Sequence, residues 1–210
     1  MKSLHQMSRG NLLAFFLILL IVFELIVYVS TTPRPSEQFF QLYVLGANHM
    51  ASDYYPGNNS NIQPNVDVRW YLGVTNLIGS VQLVTLRVKL GNQSIPPPND
   101  TQAIPSPAPV VAEFMRFLQN NETWEVQFSW RISNATAAEG STRILELGIN
   151  NETYALQGWS ARNGYNFRMI FELWTWNLQS EGVQFGWFAG NERHAAWLQV
   201  WFNVTTPSSG

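Results

Sequence analysis

Two hydrophobic patterns divide the chain. From Asn11 to Ser30 the residues read NLLAFFLILLIVFELIVYVS, apolar throughout except for one ionisable group, Glu24. About 20 such residues form a helix long enough to cross a hydrocarbon core roughly 30 Å thick. Beyond residue 37 the pattern changes to alternation at every second position, the signature of half-buried strands. Val66, Val68, Trp70, Leu72 and Val74 alternate with Asp67, Arg69, Tyr71, Gly73 and Thr75. Trp124, Val126, Phe128, Trp130 and Ile132 alternate with Glu125, Gln127, Ser129 and Arg131. Further β-type runs cover 38–46, 81–90, 143–149, 166–176, 183–188 and 196–204. Turn residues separate them, among them Pro56-Gly57-Asn58-Asn59, Asn120-Asn121, Glu139-Gly140-Ser141, Asn150-Asn151, Asn163-Gly164 and Gly190-Asn191.

About eight short strands at this spacing predict an all-β domain, an antiparallel immunoglobulin-like β-sandwich behind one N-terminal transmembrane helix. The stretch 91–109 breaks the pattern with Pro96, Pro97, Pro98, Pro105, Pro107 and Pro109 and reads as a long extended loop. Val110–Leu118 fits a strand or a short helix. The expected organisation is a cytoplasmic N-terminus (1–10), a transmembrane helix (11–30), a proline-containing stalk (31–37), an extracellular β-sandwich domain (38–205) and a flexible tail (206–210).

Orientation follows from charge. Lys2 and Arg9 precede the apolar run, and the next basic residue is Arg34, which places the N-terminus in the cytoplasm. A cleaved signal peptide is the rival, but its apolar region is normally about 7–15 residues long, and Tyr28-Val29-Ser30-Thr31 is a poor cleavage site. A third reading takes Arg9-Gly10 as similar to the processing site of archaeal pilin-type signal peptides; Asn11 departs from that pattern. Glu24 belongs near the outer interface, protonated, or against a partner helix, since a mid-membrane carboxylate is costly.

Composition supports export. Only 12% of residues are charged, about half the usual share, so solubility rests on Asn, Gln, Ser and Thr. Seven Asn-x-Ser/Thr sequences begin at Asn58, Asn92, Asn99, Asn121, Asn134, Asn151 and Asn203, where chance pairing would give about 2.5. We expect N-glycosylation at some of them. The net charge of −2 argues against nucleic acid as a partner. Cysteine is absent, which removes disulfides, thiolate metal sites and cysteine nucleophiles.

Catalytic chemistry is sparse. The histidines are His5, His49 and His194, with no paired-histidine motif. His49 and Asp53 share a loop, but no third metal ligand accompanies them. Glu113, Glu122, Glu125, Glu146 and Glu172 include enough carboxylates for a glycosidase pair, although most fall on solvent-face positions. The expectation is a protein that is not an enzyme and holds no cofactor or metal.

The last strands carry the most suggestive pattern. Phe167, Met169, Phe171 and Leu173 form one face of a strand, opposite Arg168, Ile170, Glu172, Trp174 and Trp176. Leu198, Val200, Phe202 and Val204 likewise oppose Trp197, Gln199, Trp201 and Asn203. If the first sets are core, Trp174, Trp176, Trp197 and Trp201 line an outer face suited to a partner or a glycan. The alternative is that the proline-rich loop, or a helix over 110–118, covers that face.

Residues 37–56, EQFFQLYVLGANHMASDYYP, resemble the opening motif of the archaeal domain of unknown function family 1616, whose outer domain begins with a strand ending in Leu-Gly followed by a loop and Tyr-Pro. Here these are Leu45-Gly46 and Tyr55-Pro56, and Gly73-Val74-Thr75-Asn76 is similar to the family's next strand and turn. The resemblance implies an archaeal membrane protein with an extracytoplasmic β-domain and no assigned activity. The function expected from all of this is a structural or interaction module of the cell envelope. Its partner would be a surface-layer or membrane-complex protein. The alternatives are a surface-filament subunit or accessory (pilin-like or archaellum-stator-like) and a carbohydrate-binding module or enzyme.

Overall fold

The computed structural model describes residues 9–32 and 37–206. The segment before Arg9, expected to be cytoplasmic, Pro33 and Pro35 of the expected stalk, and the tail after Thr206 lie outside the described residues. The chain divides into two units, Met1–Glu37 and Gln38–Gly210.

The first unit is a helix, α1 (Arg9–Thr31). Its segment Leu12–Thr31 is long and apolar enough to span a membrane. Apolar side chains cover every side of it, as suits lipid rather than one face of a core.

The second unit is built of β-strands, with one 3-10 turn at Pro56–Asn58. Its first sheet comprises β1 (Phe39–Leu45), β3 (Val68–Leu77), β6 (Thr123–Ala138), β7 (Ser141–Ile149) and β8 (Glu152–Arg162), in that spatial order and antiparallel at every pairing. The second sheet runs β2 (Asn61–Ile62), β13 (Trp197–Val204), β9 (Phe167–Asn177), β4 (Gln82–Asn92) and β5 (Val110–Leu118). In it β10 (Gly182–Phe185) pairs with the end of β9, and β2 runs parallel to β13. A small hairpin joins β11 (Trp187–Ala189) to β12 (Glu192–His194).

The alternating patterns decide which faces meet. Trp70, Leu72 and Val74 of β3 and Phe128, Trp130 and Ile132 of β6 are buried, and they share one core with Val84, Leu86 and Val88 of β4 and Phe171 and Leu173 of β9. The two sheets therefore face each other as a sandwich. Aromatic rings join the layers: Trp70 lies 6.0 Å from Phe171, Phe128 packs edge-on to Phe171 at 5.5 Å, and Trp130 sits 4.9 Å from Phe202. The indole N–H of Trp70 donates to the Tyr54 carbonyl, whereas the neighbouring Trp130 Nε1 is buried without a hydrogen-bond partner among the described residues.

The sequence leaves Val110–Leu118 open between a strand and a short helix, and two further elements differ from the sequence expectation for physical reasons. Val110–Leu118 is a strand, the edge partner of β4. The run 183–188 is two strands, because Gly186 sits at φ 81 and directs Trp187 away from β9; a Cβ there would lie 1.9 Å from the His194 carbonyl oxygen. Strand β8 lies in a stretch with no clean alternation. Its pairing with β7 shifts register between Ile144 and Glu146, so Tyr154 and Leu156 reach the core before the shift and Trp159 and Ala161 after it. A bulge changes the phase of the period-2 pattern and hides the strand from a periodicity search.

Trp70→Ala is expected to cost about 3–5 kcal/mol, read as a lowered denaturant midpoint of unfolding for the full chain in detergent, with an unchanged slope.

Candidate functional site

Strand β9 is buried on both faces. Phe167, Met169, Phe171 and Leu173 point into the sandwich, yet Arg168, Ile170 and Glu172 on the other side are buried as well. The cover is the proline-rich segment 93–109, which lies as a strap across β9 and β4. Ile95 and Ala108 pack on Ile170. Glu172 is wholly buried, and its two oxygens sit 2.9 and 3.1 Å from Lys89 Nζ. The strap completes the arrangement: Ser106 N–H donates to Glu172 at 2.7 Å, and Lys89 Nζ donates to the Ser106 carbonyl at 2.6 Å. Trp174 Nε1 donates to the second Glu172 oxygen at 3.0 Å. The Arg168 guanidinium donates to the Ile95 carbonyl and, at 2.6 Å, to Gln199 Oε1. Burial lowers the Arg168 pKa from its ordinary high value, and arginine remains charged at neutral pH.

The strap divides the four tryptophans. Trp197 packs, half-buried, against the Ile95–Ala108–Ile170 cluster. Trp174 is half-buried beneath the Arg87 guanidinium, which lies 3.8 Å from its ring centre. Trp176 and Trp201 are exposed, Trp201 with Arg168 4.8 Å from its ring centre. These four side chains do not form one continuous aromatic face.

The larger open surface is on the other sheet. A groove of about 860 Å³ lies between the outward face of β3, β6 and β7 and the loop from Ala47 to Asn58. The same alternation that buries Trp70, Phe128 and Trp130 turns Arg69, Gln127, Ser129 and Arg131 into it. Asp53, Tyr54 and Tyr55 form the loop side, with Asp67 and Glu152 at the rim. Gly148 makes room beneath Arg131, since a Cβ there would approach Arg131 Cγ to 3.1 Å. The loop is held to both sheets. The Tyr54 carbonyl accepts from Trp70, and the Tyr55 hydroxyl donates to the Trp201 carbonyl while burial pushes its pKa up.

Beside the groove the sheet carries an aromatic strip. His49 stacks on Tyr71 at 3.6 Å, and its Nδ1 lies 3.0 Å from Glu125 Oε1. Tyr43 lies over Gly73, where an added Cβ would meet its ring at 1.9 Å. Burial first, and then the Glu125 charge, raise the Tyr43 pKa. The sequence reading passed over Tyr43, Tyr71, Arg69 and Arg131. The available signal was an aromatic ring or a cation at an outward position of a strongly alternating strand.

The remaining candidates scatter. His49 pairs with Glu125, whereas Asp53 accepts from Asn48 and Ser52. Glu113 pairs with Arg87, and Glu122 with Arg116. Among the described residues no three His, Asp or Glu side chains converge as metal ligands.

Of the seven glycosylation sequences, Asn58, Asn99, Asn121, Asn134 and Asn151 are exposed. Asn92 and Asn203 are half-buried, and their amide nitrogens are engaged, with the Ser160 carbonyl at 2.8 Å and Asn61 Oδ1 at 2.9 Å. Glycopeptide mass spectrometry of the native protein is expected to find glycan among the five exposed sites and Asn92 and Asn203 bare. Lys89→Ala leaves Glu172 buried beside a lost cation, an expected cost of about 3–5 kcal/mol. It should also speed proteolysis within 93–109, read by limited digestion and mass mapping.

No family model matches the chain, and no curated protein matches it.

Proposed function

We propose that this chain is a membrane-anchored extracytoplasmic interaction module that acts by binding and not by catalysis. α1 serves as the anchor, with its N-terminus in the cytoplasm, and the β-domain stands outside as an immunoglobulin-like sandwich. The excess of glycosylation sequences and the low charge support that placement. The resemblance of residues 37–56 to the archaeal family supports a cell-envelope setting.

The observation that carries the binding role is the groove on the first sheet. It combines two tyrosines, two arginines and three carboxylates in one open surface. Tyrosine and arginine supply rigid contact area and directed hydrogen bonds at protein interfaces. Charges of both signs side by side select a partner of matching pattern without attracting polyanions. The partner in this reading is a protein of the cell envelope, a surface-layer or membrane-complex subunit. A glycan is the second reading. Asn48, Gln127 and Ser129 supply hydrogen-bonding groups beside Tyr54 and Tyr55, the pairing that sugar hydroxyls and ring faces require.

Affinity purification of the tagged full-length chain from its native membrane, in mild detergent, tests this. A partner in fixed ratio is expected, and its recovery should fall at least about tenfold with Arg69→Glu/Arg131→Glu. Equal recovery with that variant would remove the groove from the reading. Recovery of no protein together with binding to a glycan array would move it to the second reading.

A further inference from the structure

One end of the sandwich exposes apolar side chains from several separate segments. Val81 lies in the β3–β4 turn, Phe117 near the end of β5, Trp176 at the end of β9 and Leu178 in the following turn, with exposures of 51%, 66%, 41% and 84%. Backbone pairing brings these together. Leu83 pairs with Phe117, and Val84 pairs with Thr175, one residue before Trp176. The Asn76 amide clamps the group by donating to the Ser80 carbonyl at 2.8 Å and the Leu118 carbonyl at 3.0 Å. This is also the end at which the chain enters the domain, because Phe39, the first residue of β1, pairs with Leu77 and is itself 40% exposed.

We propose that this end is a lipid-docking surface, inserted at the interface of the bilayer that α1 crosses. The inference rests on the anchor reading given above. Covalent geometry supports it: the six steps from Thr32 to Gln38 span at most about 22 Å at 3.6 Å each. Headgroup regions extend about 5–8 Å beyond the hydrocarbon on each side. The end of the domain that begins at Gln38 is thus tethered within reach of the interface. Tryptophan and other aromatic rings partition there, with an apolar body in the acyl boundary and a polar edge toward water. Phe117 has a polar rim beside it, where Arg116 pairs with Glu122 at 2.8 Å. Acidic residues also surround the patch, Glu122 and Glu181 among them. Insertion is therefore driven by apolar burial and not by attraction to anionic lipid.

The glycosylation sequences agree in part with this orientation. Asn92 and Asn203 lie at the opposite ends of β4 and β13, and Asn134 lies in the far half of β6. Asn121 is the exception, in the β5–β6 turn on the first-sheet side of the patch.

The absence of cysteine makes the test direct. Full-length Leu178→Cys is labelled with an environment-sensitive dye and reconstituted in phosphatidylcholine vesicles containing lipids spin-labelled near the headgroup. Ala138→Cys, at the far end of β6, is the reference. The label at 178 is expected to be quenched at least about threefold more than the label at 138, independently of salt. Adding Val81→Ser and Phe117→Ser should abolish the difference. Equal quenching at both positions, with the protein still resisting extraction by alkaline carbonate, would overturn docking and leave the anchor intact. A blue-shifted but unquenched label at 178 would show that protein covers the patch, and would also overturn docking. Release by carbonate would overturn the anchor reading and the docking with it.

Discussion

The contact on which the second sheet depends is the buried pair between Lys89 and Glu172. A carboxylate in the middle of a sheet, with no exposure to water, is tolerated only when a cation and hydrogen-bond donors replace its hydration. Here Lys89 Nζ, the Ser106 amide and the Trp174 indole share that task. Two of these groups come from the sheet and one comes from the strap. Neither the sheet nor the strap satisfies the carboxylate alone, so the polar groups hold segment 93–109 in one position. The prolines suit this role, because they are extended and have little conformational freedom left to lose.

That strap sets the remaining surface. It buries Ile170, Arg168 and Glu172, half-covers Trp197, and leaves Trp176 and Trp201 as separate exposed rings. Among the described residues the first sheet has no comparable cover over its middle strands. Its outward residues instead meet the loop that begins at Gly46, which turns tightly enough that a Cβ on Gly46 would lie 2.0 Å from the Ser52 carbonyl oxygen. The groove exists because this loop is pinned at Tyr54 and Tyr55 while Arg69, Arg131 and Gly148 stay open beneath it. The two sheets thus divide the work, one closed by its own chain and the other left open.

Within the sandwich, the inter-sheet aromatic cluster supplies most of the directional packing. Trp70 touches the rings of Tyr55, Phe128, Trp130 and Phe171, and so couples the groove loop to both layers. A domain without disulfides relies on such contacts, since no cross-link restricts its unfolded chain. The same reasoning accounts for the low share of charged residues: the large rings fill the interior, and neutral polar groups and a few ion pairs complete the surface.

The apolar run of α1 and the alternation in β3 and β6 were legible in the sequence by itself, because a lipid-length helix and a half-buried strand each impose a period on consecutive residues. The core faces of β9 and β13 were legible for the same reason. Strand β8 was not, because its bulge changes the phase of the pattern between Tyr154 and Trp159. The split at Gly186 was also hidden, since it depends on a carbonyl eight residues away. Whether Trp174, Trp176, Trp197 and Trp201 would share one surface was open in the sequence; alternation assigns a residue to a face but does not say what lies on that face. Only the tertiary structure decided this, by closing a strap onto a buried charge pair whose members, Lys89 and Glu172, stand 83 positions apart. The groove was hidden by the same limit, for it is made where a loop, three strands and a glycine converge, and no local period records such a meeting.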